Sequence, residues 1–167
     1  MTKILLSPHR IDTDLFRPAQ KVPGMVLFVG RLSPEKRVSS LIEAVRSLPW
    51  AHLHLVGDGP ERGPLGALTL SLRVAVTWHC FLPQREVAAL MAQAPYFVLA
   101  SRYEQASKVL LEAMASGCMV IATPEASRGV LTDGQNGYLC DGSPGGIRRA
   151  LEQARTDHSK TTGGING

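Results

Sequence analysis

The chain alternates short, nearly unbroken apolar runs with longer amphipathic ones, and few folds accommodate that order. The apolar runs fall at Met25–Val29, His52–Val56, 74–78, 96–100 and Met119–Ala122, with a shorter piece at 138–140. Apolar runs of this length suit strands covered on both faces. Helical periodicity fills the gaps at 34–48, 84–94, 107–116 and 144–155, and more weakly within 61–72. Val38, Leu41, Ile42, Val45 and Leu48 form one apolar stripe, and Val87, Leu90 and Met91 form another. Strand–helix alternation of this kind predicts an α/β fold, a doubly wound, Rossmann-like parallel sheet. Pro8, Pro18 and Pro23 break up residues 1–23, which read as a lead-in segment. Residues 24–156 read as the domain, and the polar, glycine-rich 157–167 as a disordered or appended tail.

Composition narrows the function classes. A net charge of +4, with only Arg148 and Arg149 adjacent and no interleaved aromatics, argues against nucleic acid as a partner. The same mild excess suits an anionic ligand or an acidic membrane surface. Cys80, Cys118 and Cys140 are odd in number and form no CxxC pair, so the reading is a reducing, cytoplasmic compartment without a zinc site. No apolar run approaches the ~20 residues needed to span a bilayer.

Three turns carry candidate chemistry. Gly30-Arg-Leu-Ser-Pro-Glu-Lys36 follows the first strand, with Ser33 as a predicted N-cap and Pro34 at the first helical position. Arg31 and Lys36 would then sit where a helix dipole disfavours cations, a conflict that a phosphate or diphosphate would resolve. Screening by Glu35 and water is the plainer alternative. Glu104-Gln-Ala-Ser-Lys-Val-Leu-Leu-Glu112 places two carboxylates eight residues apart, the first in a strand-to-helix loop and the second within a helix capped by Ser107. They could bind hydroxyls at both ends of an extended polar ligand, although a loop glutamate and a solvated helix glutamate would look the same. Gly57-Asp-Gly-Pro-Glu-Arg-Gly63 has the wrong spacing for a dinucleotide fingerprint and reads as a tight turn. His52 and His54 share one face of their strand, and His79 adjoins Cys80; structural roles outweigh metal binding for all three.

Taken together, the segments resemble the C-terminal domain of two-domain glycosyltransferases of the large retaining family 4, which have the GT-B architecture. The resemblance rests on residues 7–18, Val29-Gly-Arg-Leu-Ser-Pro-Glu-Lys36, Leu55-Val-Gly-Asp-Gly-Pro60, Glu112-Ala-Met-Ala-Ser-Gly117 and Val120-Ile-Ala-Thr-Pro124, in that order. It implies one half of a GT-B enzyme, transferring a hexosyl group from a UDP- or GDP-sugar to a hydroxyl acceptor. It further implies that Gly30, Arg31 and Lys36 serve the diphosphate and that Glu104 meets donor-sugar hydroxyls. Glu112 would meet the ribose, and the backbone of Ser107, Lys108, Val109 and Leu110 would approach phosphates and ribose. Phe81 and Leu82 would frame the base. Of these, Arg31, Lys36 and Glu104 are the catalytic candidates. No cofactor and no metal are expected. An N-terminal acceptor-binding domain would lie outside this chain, and the full enzyme could touch the membrane peripherally. Two other classes stay open: a non-catalytic nucleotide-binding module and a sugar-nucleotide epimerase. The chain departs from the family pattern at Gln105-Ala106-Ser107, where Gly-Phe-Gly is common, at Cys80, where glycine is usual, and at Ala126-Ser127, where Gly-Gly is frequent.

Overall fold

The strand Met25–Val29 (β1) is buried along nearly its whole length because it sits at the centre of a sheet, between His52–Val56 (β2) and Tyr96–Leu99 (β4). A computed structural model describes residues 11–104 and 108–165, with side chains as far as His158. The remaining strands are Val76–His79 (β3), Met119–Ala122 (β5) and Tyr138–Leu139 (β6). All six run parallel, in the order β3-β2-β1-β4-β5-β6. The doubly wound expectation is therefore met.

The helices are Val38–Arg46 (α1), Arg62–Leu72 (α2), Gln84–Gln93 (α3), Lys108–Ala115 (α4), Pro124–Ser127 (α5) and Pro144–Ile165 (α6). Helix α1 packs against α2 and α6, whereas α3 packs against α4 and β1. The apolar stripe of α1 accounts for its place: Val38, Leu41, Ile42 and Val45 are all buried. The lead-in chain is tied beneath α3 and α4. Ala19 and Val22 donate their N–H groups to the carbonyls of Ala92 and Gln93. Lys21 Nζ reaches the Ser116 carbonyl at 2.7 Å. Among the described residues no helix is long and apolar enough to cross a membrane.

Four boundaries differ from expectation. The helix predicted over 34–48 is broken into a single 3-10 turn, Pro34–Lys36, and then α1. Arg37 makes the break, at φ 53° and ψ 39°. The third strand starts two residues later and ends one residue later than 74–78, because pairing Leu53 with Val76 and Val56 with His79 sets its register. Helix α5 was not foreseen. Helix α6 continues past residue 155 into the segment read as a tail.

The three histidines meet at the β2–β3 edge. His54 Nδ1 and His79 Nε2 lie 3.1 Å apart, and the His52 ring centroid is 4.8 Å from that of His54. Burial, reinforced by the two neighbouring imidazoles, pushes the His54 pKa down to about 4. The unfolded chain then binds the proton more readily, so stability is present above pH ~6.5 and is lost as pH falls towards 4. Because His54 is only partly buried, the loss between pH 7 and 5 should be held to about 1 kcal/mol. Urea denaturation at both pH values, with His54→Gln as reference, checks this. A wild-type loss no larger than the variant's would count against it.

Candidate functional site at the switch point

Strand order reverses direction between β1 and β4, so the chain leaves their carboxyl ends in opposite directions and opens a crevice there. Two loops line it, Gly30–Lys36 after β1 and Ala100–Glu104 after β4. They are joined directly, since the Arg102 N–H donates to the Glu35 carbonyl at 2.8 Å.

The first loop is built on the end of β2. Gly30 N–H donates to Val56 O at 3.0 Å and Leu32 N–H to Asp58 O at 2.9 Å; Leu32 O in turn accepts from Glu61 N–H at 2.9 Å. Leu32 is fully buried and pins the loop, which leaves its neighbour Arg31 exposed. The close approach is possible because Gly57 adopts φ +133°, as expected for a tight turn. Ser33 has the extended backbone of a cap but makes no capping bond; its hydroxyl donates to Glu35 Oε1 at 2.6 Å. That bond, more than the nearby Lys36 and Arg31, holds the Glu35 carboxyl below its usual range.

Lys36 and Glu104, 68 residues apart in sequence, form an ion pair through Lys36 Nζ and Glu104 Oε1. Glu104 thus supplies Lys36 with a counter-ion inside the protein, and the helix begun at Pro34 is broken after one turn. Ser101 Oγ also donates to Glu104 Oε1, at 2.8 Å. Among the described residues, the side-chain bonds to Glu104 fall on Oε1 and none on Oε2. Arg31 likewise makes no side-chain hydrogen bond among them.

Helix α4 carries Glu112, which is only 8% exposed and has no side-chain hydrogen bond among the described residues. Burial raises its pKa, and Lys108 partly offsets that. Glu112 is largely covered, yet neither of its carboxylate oxygens is a fully buried atom without a partner; its shifted pKa beside the crevice makes it a candidate for binding. It stands four residues, about 6 Å, into α4. On the same helix Leu110 is fully buried, Val109 half-buried and Lys108 exposed. Ser107, the predicted cap, lies outside the described residues, as do Gln105 and Ala106.

The structure brings Lys36 and Glu104 into contact and places Gly30 and Arg31 on the same turn. Phe81 and Leu82 follow β3, two strands from β1 and so on the order of 10 Å to one side. No described contact links them to the Lys36–Glu104 pair; Phe81 is 84% exposed and Leu82 half-buried. Sequence reasoning missed Ser101, Thr123 and Arg128, which support Glu104. Thr123-Pro124 carried a readable signal, a cap residue followed by proline at the first helical position. Nothing local announces Arg128.

Comparison with known proteins adds an independent line. The model of the family described as "Glycosyl transferases group 1" matches residues 23–157. The lipopolysaccharide core biosynthesis glycosyltransferase LpsE of Rhizobium meliloti is 36% identical over 92% of this chain and 44% of its own length. A sulfoquinovosyl transferase of Arabidopsis thaliana is 31% identical over 79% of this chain and 26% of its own length. The chain thus spans less than half of either relative. Among solved structures, the C-terminal domain of a glycosyl transferase group 1 family protein (LpcC) from Francisella tularensis superposes with a TM-score of 0.79. It is 25% identical, with 90% of both chains covered.

Proposed function

The chain belongs to the glycosyl transferases group 1, and from that premise we propose that it is the donor-binding domain of a retaining enzyme. That enzyme transfers a hexosyl group from a UDP- or GDP-sugar to a hydroxyl acceptor in glycan or glycolipid biosynthesis. The single observation that carries this reading is the Lys36–Glu104 pair at the β1/β4 crevice, flanked by an open Arg31. A cation side by side with a carboxylate suits a ligand in which a diphosphate adjoins a sugar.

In this reading Arg31 engages two phosphate oxygens and Lys36 acts as a point charge. Both stabilise the negative charge that grows on the diphosphate as its bond to the sugar breaks. Glu104 accepts a sugar hydroxyl, and Glu112 accepts a hydroxyl of the ribose. Phe81 offers an exposed aromatic face for the base, with Leu82 beside it. The acceptor would be held by a domain outside these 167 residues, consistent with the share of the relatives that the chain covers.

Titration calorimetry with UDP and GDP tests the site. Arg31→Ala should cost roughly 1.5–3 kcal/mol of affinity, the range for hydrogen bonds to charged groups. Lys36→Ala should cost a similar or smaller amount, and both losses should shrink at high salt. Arg31→Ala is the cleaner probe, because Lys36→Ala also strips Glu104 of its counter-ion. Unchanged affinity in both variants would sink the proposed phosphate site.

A further inference from the structure

One short helix holds Glu104 from two sides. At its N-terminal end, Thr123 is fully buried, and its Oγ1 donates to the Ser101 carbonyl at 2.6 Å while accepting from Ala126 N–H at 3.1 Å. Ser101, also fully buried, passes that constraint on through its own hydroxyl, 2.8 Å from Glu104 Oε1. At the C-terminal end of α5, Arg128 Nη1 donates to the main-chain carbonyl of Glu104 at 2.5 Å. The carboxylate and the backbone of Glu104 are thus fixed by residues that bracket the same four-residue helix.

Arg128 occupies the left-handed region, at φ 48° and ψ 42°. That conformation costs free energy for any residue with a Cβ, and glycine adopts it freely. A backbone held in such a region is a reason to ask what its side chain does. The contact to Glu104, 24 residues earlier, is an answer that the fold itself supplies. The guanidinium bonds to the main-chain carbonyl, whereas Lys36 and Ser101 bond the side-chain oxygen Oε1.

We propose that Arg128 is a positioning residue: it fixes the main chain at Glu104 so that its carboxylate meets the donor's sugar. It plays no part in holding the nucleoside diphosphate. This rests on the reading of Glu104 as the sugar contact. Because Lys36 and Ser101 persist without Arg128, its removal loosens Glu104 rather than releasing it, and the effect is selective and moderate.

The experiment compares the wild-type chain with Glu104→Gln, Arg128→Gly and Arg128→Lys. Each is titrated with UDP and UDP-glucose and with GDP and GDP-mannose, with melting temperature recorded alongside. Glycine keeps the left-handed backbone, so Arg128→Gly should stay folded with its melting temperature nearly unchanged. It should bind the preferred nucleoside diphosphate as the wild type does, and the matching nucleotide sugar about five- to tenfold more weakly. Arg128→Lys, which still donates a charged hydrogen bond, should recover part of that loss. Equal weakening for both ligands, or a lowered melting temperature with no ligand selectivity, would show a merely structural role and overturn the proposal. If Glu104→Gln is selective for the nucleotide sugar while Arg128→Gly is silent, only the positioning role falls. If Glu104→Gln leaves the nucleotide sugar untouched, or the wild type binds neither pair, the underlying reading falls with it.

Discussion

Given a nucleotide sugar and a hydroxyl acceptor, the 167-residue chain alone should bind nucleotide yet transfer sugar at least ~10⁵-fold more slowly than a complete two-domain relative. The reacting atoms of a donor held by Lys36 and Glu104 would sit at the rim of the sheet, open to solvent. Phe81 and Tyr103, on the loops after β3 and β4, are 84% and 64% exposed, so these two aromatic side chains give the sugar's reactive carbon little shelter from water. On the proposed reading, a second domain closing over the rim would supply a bound acceptor at the right angle and an interior dry enough to strengthen the phosphate contacts. Orientation alone is worth about 7–11 kcal/mol of barrier, which sets the expected deficit. Initial rates for the chain alone, and for the chain joined to a matching acceptor-binding half, measure it. Turnover by the chain alone in the ordinary range, on the order of 1–10³ per second, would overturn the proposal that another domain completes the site.

How much of this was legible in the sequence depended on the range of the forces involved. Strands β1, β4 and β5 could be read because burial on both faces demands an apolar residue at nearly every position. The edge strand β3 could not be placed to the residue. Its four side chains are all half-buried, and partners on β2 rather than local hydrophobicity decide its register. The break at Arg37 was hidden for a similar reason. Ser33-Pro34-Glu35-Lys36 reads locally as the start of one long helix, but Arg37 is left-handed and its Nη1 donates to the carbonyl of Asp141, 104 residues away, a contact that no local pattern announces.

The site shows the same division. Glu104, Glu112, Arg31 and Lys36 could all be nominated from their places on turns and helices. That Lys36 answers Glu104 could not, because a dipole argument considers only the nearest turn and the partner lies on another strand's loop. Supporting residues are harder still. Thr123 and Arg128 reach Ser101 and Glu104 only after β4 and β5 pair, so no spacing in the chain encodes those contacts, whereas Ser101 meets Glu104 three residues away in the same loop.

Gly57→Ala should be the most damaging single substitution in the loops that carry the site. At φ +133° a side chain is strained wherever it points, and here it has nowhere to point. The new Cβ would lie 1.9 Å from the carbonyl oxygen of Gly30 and 2.9 Å from its carbon, both backbone atoms that cannot swing aside as a side-chain tip would. Relief requires the two loops to part, which breaks the bonds from Gly30 N–H to Val56 O and from Leu32 N–H to Asp58 O. Backbone strain and steric overlap together should cost about 2–5 kcal/mol. For a chain of this size that lowers the melting temperature by roughly 5–15 °C. Because Leu32 pins the turn that presents Arg31, nucleotide affinity should fall even at temperatures where the protein remains folded. Gly63→Ala is the matched control. It lies in the first turn of α2, nothing approaches within 4 Å of its added Cβ, and replacing a helical glycine by alanine is stabilising by roughly 0.5–1 kcal/mol. The same chemical change, six residues apart, should therefore shift the melting temperature in opposite directions. A Gly57→Ala protein that melts within a degree of the wild type and binds nucleotide equally well would show that the two loops do not support each other as described.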